Sequence, residues 1–246
     1  MTIDFALAAL LAIAFPSAEN AGTLIVSLQA SPPNRAAFRR ALEDSGARQL
    51  QRWKNEGALQ GYRLLFSRHL DSRGWDALAI LTVKDVASWK NIERDFPAGL
   101  PDKVLALSSA VETVPASLVR HGEPTRAPGE PVFLVIPYEI TVPTSEYLGY
   151  LDDYVLPQLA GWAEEGVLES HAVYLAKYPA GRPWQSLLVL EYRSDEKLAA
   201  RDAVVAKVRA RLAANARWKA VSENKKNVRV ERAPVVADPV SRREVQ

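Results

Sequence analysis

The sequence has no cysteine and only three histidines in 246 residues. Without cysteine the protein cannot have disulfides, a thiol nucleophile, or thiolate ligands for zinc or an iron–sulfur cluster. The histidines are too scattered for the close spacing of a zinc or iron site, so we expect no metal. The formal net charge of +2 is too small to favour nucleic acid or an anionic membrane as a partner.

Motifs that would fix a reaction are also missing. The sequence contains no G-x-S-x-G, no phosphate-binding glycine loop, no dinucleotide-binding glycine pattern and no H-E-x-x-H. The strands predicted at residues 75–84 and 184–193 lack the aromatic pattern with which RNA-recognition domains stack bases. We therefore expect no nucleic-acid partner.

Apolar runs long enough to span a membrane are absent. The run at residues 5–15 has eleven residues, whereas a spanning helix needs about 20. Its length is typical of the apolar part of a signal peptide, and small residues follow at Ser17, Ala18 and Ala21. Asp4 precedes the run and no basic residue does, which is unusual for such a signal. We predict a signal peptide over residues 1–21, a periplasmic or secreted protein, and no membrane binding after cleavage; a buried N-terminal helix is the alternative.

The remainder of the chain contains an internal repeat. A shift of about 109 residues, without gaps, aligns Trp53 with Trp162, Gly57 with Gly166, and Trp75 with Trp184. Self-similarity at this spacing indicates two copies of one domain-sized unit. We place the first repeat at residues 22–121, a Pro/Gly-rich linker at 122–131, the second repeat at 132–236 and a polar tail at 237–246.

Each repeat has the predicted element order βαββαβ. Alternating and helical apolar spacing predicts first-repeat strands at 23–30, 58–70, 75–84 and 110–119, and helices at 35–56 and 85–96. The second repeat has predicted strands at 132–142, 168–178, 184–193 and 227–235, and main helices at 145–165 and 195–212. Pro157 is expected to kink or break the first of these helices at Leu156.

This order is that of the ferredoxin-like unit, whose sheet has helices on one face only. Two such units can cover their bare faces by packing sheet to sheet. Trp162-x-x-x-Gly166-x-Leu168, Trp184 at a strand start, Arg209 and Trp218-Lys219 resemble the dimeric α/β-barrel superfamily, in particular its NIPSNAP-like and antibiotic-biosynthesis-monooxygenase-like members. The resemblance implies an α+β fold, two tandem ferredoxin-like repeats packed as an α/β barrel within one chain, as a monomer or homodimer.

Strand alternation indicates which side chains face the barrel. We assign the more polar side to the barrel interior, and a one-residue slip would exchange the two sides. The predicted barrel-facing residues include Gln29, Arg63, Leu65, His69, Leu78, Ile80, Tyr138, Ala172, Tyr174, Tyr178, Leu187, Val189 and Glu191.

Glu191 is the most distinctive residue of this set. A carboxylate in an apolar cavity can act as a base, and Tyr138 or Tyr174 could donate a hydrogen bond to a carbonyl or enolate. Arg63 could hold an acidic ligand, and Gln29, His69, Tyr178 and His171 are further candidate ligand contacts. An ion pair between Glu191 and Arg63 is the alternative interpretation.

Three functional classes remain open. The chain could be an exported module that binds a small molecule between its sheets, a cofactor-independent monooxygenase or isomerase as the resemblance implies, or a structural protein with a filled barrel. We expect no cofactor. Haem is the alternative, because haem enzymes of the chlorite-dismutase type are also tandem ferredoxin-like proteins, and His171 would then be a candidate axial ligand. His121 is expected in the exposed linker.

Overall fold

The computed structural model describes residues 22–70, 74–122 and 130–240. The predicted signal peptide, most of the predicted linker and the last six residues lie outside these ranges. Within the described ranges, no helix has the length and hydrophobicity needed to cross a membrane.

The strands and helices follow the two predicted repeats. The strands are β1 (Gly22–Ala30), β2 (Leu59–Ser67), β3 (Ala77–Val83), β4 (Ser108–Gly122), β5 (Val132–Ile140), β6 (Leu168–Ala176), β7 (Ser186–Tyr192), β8 (Arg229–Glu231) and β9 (Val235–Pro239). The helices are α1 (Arg35–Ala41), α2 (Ala47–Asn55), α3 (Val86–Asp95), α4 (Asp102–Leu105), α5 (Thr144–Tyr150), α6 (Leu156–Glu164), α7 (Asp195–Ala199), α8 (Arg201–Leu212) and α9 (Ala216–Asn224).

The sheet is antiparallel and closes into a barrel of eight strands. Its strand order is β7-β6-β4-β1-β3-β2-β9-β5, and pairing of β5 with β7 completes the circle. β8 adds to the end of β5 beyond β9. The predicted α+β fold of two ferredoxin-like repeats forming one barrel is therefore confirmed.

Two strand pairings join the repeats. β4 pairs with β1 along its first half and with β6 of the second repeat along its second half. β9 of the second repeat lies between β2 and β5. The barrel therefore closes within one chain.

Apolar side chains form three clusters. One fills the barrel, with Leu65, Leu78, Ile80, Phe133, Val135 and Val189 among its members. The other two lie between the sheet and the helices, one in each repeat. The repeated tryptophans Trp53 and Trp162 belong to these helix-side clusters and are each 5% exposed, so they anchor α2 and α6 to the sheet. Gly57 and Gly166, at φ of 77° and 74°, end those helices in the left-handed conformation that favours glycine.

The predicted orientation of β5 is wrong. Val135 faces the barrel, whereas Ile136 and Tyr138 belong to the helix-side cluster of the second repeat. The starts of α1 and α5, of β2 and β6, and of β3 and β7 are each 109 residues apart, but β1 and β5 start 110 residues apart. The gapless alignment was therefore displaced by one residue over this strand, and such a slip reverses every side chain.

The ends of β4 and of the last strand also differ from the sequence expectation. His121 lies in β4, paired with Ala172, although its side chain is exposed as expected for the linker. The closing strand expected at 227–235 is split into β8 and β9. Ala237, expected in a loose tail, is fully buried in β9. Its short side chain fits inside the barrel, which a composition-based prediction of a polar tail could not detect.

The helix that contains Pro157 does deviate from regular geometry, but not because of the proline. A π-helical turn at Leu151–Val155 joins α5 to α6. An equivalent turn at Leu42–Gly46 joins α1 to α2, where Arg48 occupies the position of Pro157. The π-helical turn is therefore a feature of the repeat, and Pro157 lies in the first turn of α6, where its missing N–H is tolerated.

Candidate functional site

A cavity of about 510 Å³ lies at one mouth of the barrel. It is lined by the first halves of β2 and β6, the last residues of β4 and the end of β3, which antiparallel pairing brings to the same end of the barrel. Both repeats contribute to its wall: Gln60, Gly61, Tyr62, Arg63, Ile80, Thr82, Leu118, His121, Gly122, Ser170, His171, Ala172 and Tyr174.

The difference between the repeats explains why space remains there. Arg63 of β2 contacts Glu191 of β7, and their counterparts after the shift of 109 residues are Ala172 and Thr82. The two long charged side chains fill one side of the mouth. Ala172 and Thr82, with their short side chains, line the cavity on the other.

The buried carboxylate of Glu191 is held by two donors. Arg63 Nη2 donates a hydrogen bond to Glu191 Oε2 over 3.1 Å, and Ser170 Oγ donates to the same oxygen over 2.6 Å. The Glu191 side chain is 15% exposed and that of Arg63 is 36% exposed. The guanidinium of Arg63 also lies 4.8 Å from the centre of the Phe133 ring. The ion pair that the sequence left as an alternative is therefore present.

Tyr174 forms another part of the wall. Its side chain is 8% exposed and belongs to the barrel cluster. Burial raises the pKa of its hydroxyl, and the positive charge of Arg63 acts in the opposite direction. Tyr174 is therefore a neutral hydroxyl at pH 7, able to donate a hydrogen bond.

His171 lies where β6 meets β4. Its Nε2 is buried and has no hydrogen-bond partner among the described residues. Burial, and then the nearby His121, hold the pKa of His171 below its ordinary value, so the imidazole is neutral at pH 7. The edge of the ring packs closely against Gly122: a Cβ placed on Gly122 would lie 2.5 Å from Cε1 of His171.

The other four candidate residues lie elsewhere. Tyr138 is buried beneath the helices with the Arg229 guanidinium 3.8 Å from its ring centre; burial raises the pKa of its hydroxyl, against the charge of Arg229. Gln29 donates to the carbonyl of Gly74 at the opposite end of the barrel. His69 and Tyr178 follow the C-terminal ends of β2 and β6, at that same opposite end, and both are exposed.

Ser170, which holds Glu191, was not predicted, and His121 was expected in the linker. A signal for Ser170 was present, because the predicted β6–β7 hairpin sets a serine directly opposite Glu191. No comparable signal existed for His121, since its place depends on pairing between the repeats.

The architecture is an eight-stranded α/β barrel in which both ferredoxin-like halves belong to one chain. Solved structures share this fold. A candidate monooxygenase from Lactobacillus acidophilus NCFM has a TM-score of 0.57 at 14% identity, over 91% of this chain and 95% of that chain. Another from Fusobacterium nucleatum subsp. nucleatum has a TM-score of 0.58 at 10% identity, over 90% and 93%. No family model matches the sequence, and no curated protein matches it.

Chlorite dismutase has the same fold. The enzyme from Candidatus Nitrospira defluvii in complex with imidazole gives a TM-score of 0.53 at 11% identity, over 91% of this chain and 92% of that chain. Chlorite dismutases are haem-dependent. The expectation that the chain takes no cofactor is therefore contradicted. It was based on composition and motif spacing, which do not show the cofactors of proteins that share the fold at such low sequence identity.

The residues at the mouth do not fit haem in the observed arrangement. Haem iron takes an imidazole nitrogen as an axial ligand, and His171 is the candidate that the sequence offered. Its Nε2 is enclosed, and a Cβ on Gly122 would lie 3.4 Å from it. We therefore assign no residue of this site to haem.

Proposed function

We propose that this chain binds a small organic molecule in the cavity at the barrel mouth. The observation that carries the proposal is the cavity itself: about 510 Å³ falls within the roughly 300–1,000 Å³ of typical ligand sites. Its wall combines apolar side chains with a few polar groups, which is the usual composition of such sites. Apolar side chains fill the barrel below the mouth, so the space for a ligand lies at the mouth.

The test is native mass spectrometry, with an absorption spectrum, of protein purified from its own host. We expect a bound molecule that is lost in Ala172→Leu, because the larger side chain occupies the cavity. Ala110→Leu is the matched control, since Ala110 is an exposed position of β4 away from the cavity. Apo protein in every preparation, with no thermal shift across a metabolite library, would contradict the proposal and favour a structural role.

A second candidate function is monooxygenase-like or isomerase-like chemistry on the bound molecule. Two observations favour it: the fold is shared with candidate monooxygenases, and both donors to Glu191 bind Oε2, leaving Oε1 without a hydrogen bond from the described residues. Glu191 itself lies behind Arg63 and Ser170. If Oε1 is the base, Glu191→Gln abolishes turnover without weakening ligand binding; unchanged turnover in this variant would exclude that role.

We also propose export to the periplasm or the medium. The proposal is supported by the apolar run at residues 5–15, which lies outside the described residues. Intact-mass measurement of the protein from its own host tests it: an N-terminus near residue 22 is expected, and an intact Met1 would contradict cleavage.

A further inference from the structure

The guanidinium of Arg63 has more donors than the structure uses. Arginine carries five N–H groups, and Arg63 makes one hydrogen bond to the described residues, from Nη2 to Glu191. The side chain remains 36% exposed and lines the cavity. A guanidinium with free N–H groups at a cavity wall is well suited to bind a carboxylate.

Tyr174 supplies a second free donor in the same wall. Its hydroxyl makes no hydrogen bond with any residue in the described ranges, although the side chain is 8% exposed. Arg63 lies close enough for its charge to act on this hydroxyl. Arg63 on β2 and Tyr174 on β6 both line the cavity, so a ligand oxygen bound there can reach donors from both repeats.

The charge of the wall favours an anion. None of the lining residues is acidic, and the guanidinium of Arg63 is the cationic group among them. Glu191 neutralises Arg63 from behind the wall and does not line the cavity. A carboxylic acid that enters the cavity therefore faces hydrogen-bond donors and no carboxylate of the protein.

The remaining wall is suited to an apolar body. Ile80, Leu118 and Ala172 line the cavity, together with the ring of Tyr174. A short polar molecule would leave these side chains facing water. A ligand with an apolar body would bury them, which is favourable.

We propose that the cavity binds an organic monocarboxylic acid with an aromatic or aliphatic body. Its carboxylate accepts hydrogen bonds from the free N–H groups of Arg63 and from the Tyr174 hydroxyl. Glu191 contacts Arg63 from behind the wall and competes with the ligand for its positive charge, and Ser170 donates to the same carboxylate oxygen of Glu191. This inference rests on the proposed function and specifies the chemistry of its ligand.

The experiment compares acids with their primary amides, which have nearly the same shape and no charge. Phenylacetic, cinnamic and naphthoic acids and their amides are titrated at pH 7.5 by isothermal calorimetry. At least one acid is expected to bind about tenfold or more tightly than its amide, since a hydrogen bond to a charged group contributes about 1.5–3 kcal/mol. Arg63→Gln removes this preference and leaves amide affinity within about twofold.

Three further variants separate recognition from structural support. Tyr174→Phe weakens acid binding several-fold, as expected for loss of one neutral donor. Glu191→Gln strengthens acid binding several-fold, because the competing carboxylate is removed from Arg63. Arg232→Gln is the matched control: Arg232 is an exposed arginine paired with Glu139 outside the cavity, and acid affinity is expected to be unchanged.

The outcomes distinguish this inference from the proposed function. Equal affinity for acids and amides overturns the inference and leaves the binding function standing. Acid preference that survives Arg63→Gln overturns the role of Arg63. Binding of neither series overturns the inference, and native mass spectrometry then decides the binding function. If Arg63→Gln fails to fold, as judged by circular dichroism, Arg63→Lys replaces it; this variant keeps the charge, loses the planar fork, and is expected to retain only part of the preference.

Discussion

His171 is the residue at which burial and chemistry conflict most clearly. It is an imidazole on β6 with a buried Nε2 that has no partner among the described side chains. Such a group costs free energy even when neutral, and more when protonated. The histidine is therefore a source of pH dependence, whatever ligand the cavity binds.

The sign of that dependence follows from the direction of the pKa shift. The pKa of His171 is lowered by burial and by His121, so the unfolded chain, with an ordinary pKa of about 6.5, binds the proton more readily. The contribution of neutral His171 to stability is complete above about pH 6.5 and decreases as the pH falls toward the folded-state pKa.

We therefore expect the free energy of unfolding to fall between pH 7.5 and 5.5 in the wild type, and to fall less in His171→Asn. Urea denaturation at the two pH values measures this difference. His69→Asn is the control, because His69 is exposed and outside the cavity. Equal pH dependence in wild type and His171→Asn would show that another group controls it.

Among the elements, β4 has the greatest influence on the architecture. It is the longest strand, with 15 residues, and it passes from β1 of its own repeat to β6 of the other. At its far end Gly122 pairs with His171. The absence of a side chain at Gly122 allows the imidazole to lie against the strand.

Gly122→Ala should destabilise the protein by about 1–3 kcal/mol, because its Cβ would meet the His171 ring at 2.5 Å. The double variant Gly122→Ala/His171→Ala should lose less than the sum of the single changes, since the clash is removed. Gly61→Ala is the control: nothing lies within 4 Å of its Cβ position. Denaturant unfolding measures all four proteins, and additive losses would mean that the strand adjusts without contacting His171.

Element prediction from sequence succeeded where local periodicity decides the structure. The helix ending at Gly57 and the hairpin of β6 and β7 follow from apolar spacing and turn glycines. The π-helical turns were not predicted, because the apolar pattern runs through them without interruption. The predicted orientation of β5 was wrong because a one-residue difference in spacing between the repeats cannot be detected from composition.

At the scale of the whole molecule, the face of the sheet on which a side chain lies is easier to predict from sequence than the end of the barrel that it occupies. Arg63, Tyr174 and Glu191 were expected in the interior and converge at one mouth. Gln29 was assigned by the same alternation, yet it lies at the opposite end. Which end a residue occupies depends on the pairing of β4 with β6 and of β2 with β9, and that pairing joins segments far apart in sequence.

The last of these pairings makes a prediction about the whole fold. β9 lies between β2 and β5, and its Val235 and Ala237 are 3% and 0% exposed in the barrel cluster. A chain ending at Pro234 loses the hydrogen bonds to both neighbours and exposes the open edges of β2 and β5. Burying one valine side chain contributes about 1.5–3 kcal/mol, so the total loss should be several kcal/mol.

Thermal unfolding, followed by circular dichroism and by tryptophan fluorescence, to which the barrel residues Trp75 and Trp184 contribute, measures the effect. A chain ending at Val240 is the control, because it keeps β9 and the hydrogen bond from the Val240 N–H to the Leu64 carbonyl. The control is expected to unfold in one cooperative transition, and the shorter chain at a much lower temperature or without cooperativity. Equal transition temperatures would mean that each repeat is stable without closure of the barrel. The mouth cavity would then not depend on the pairing of β9 with β2 and β5.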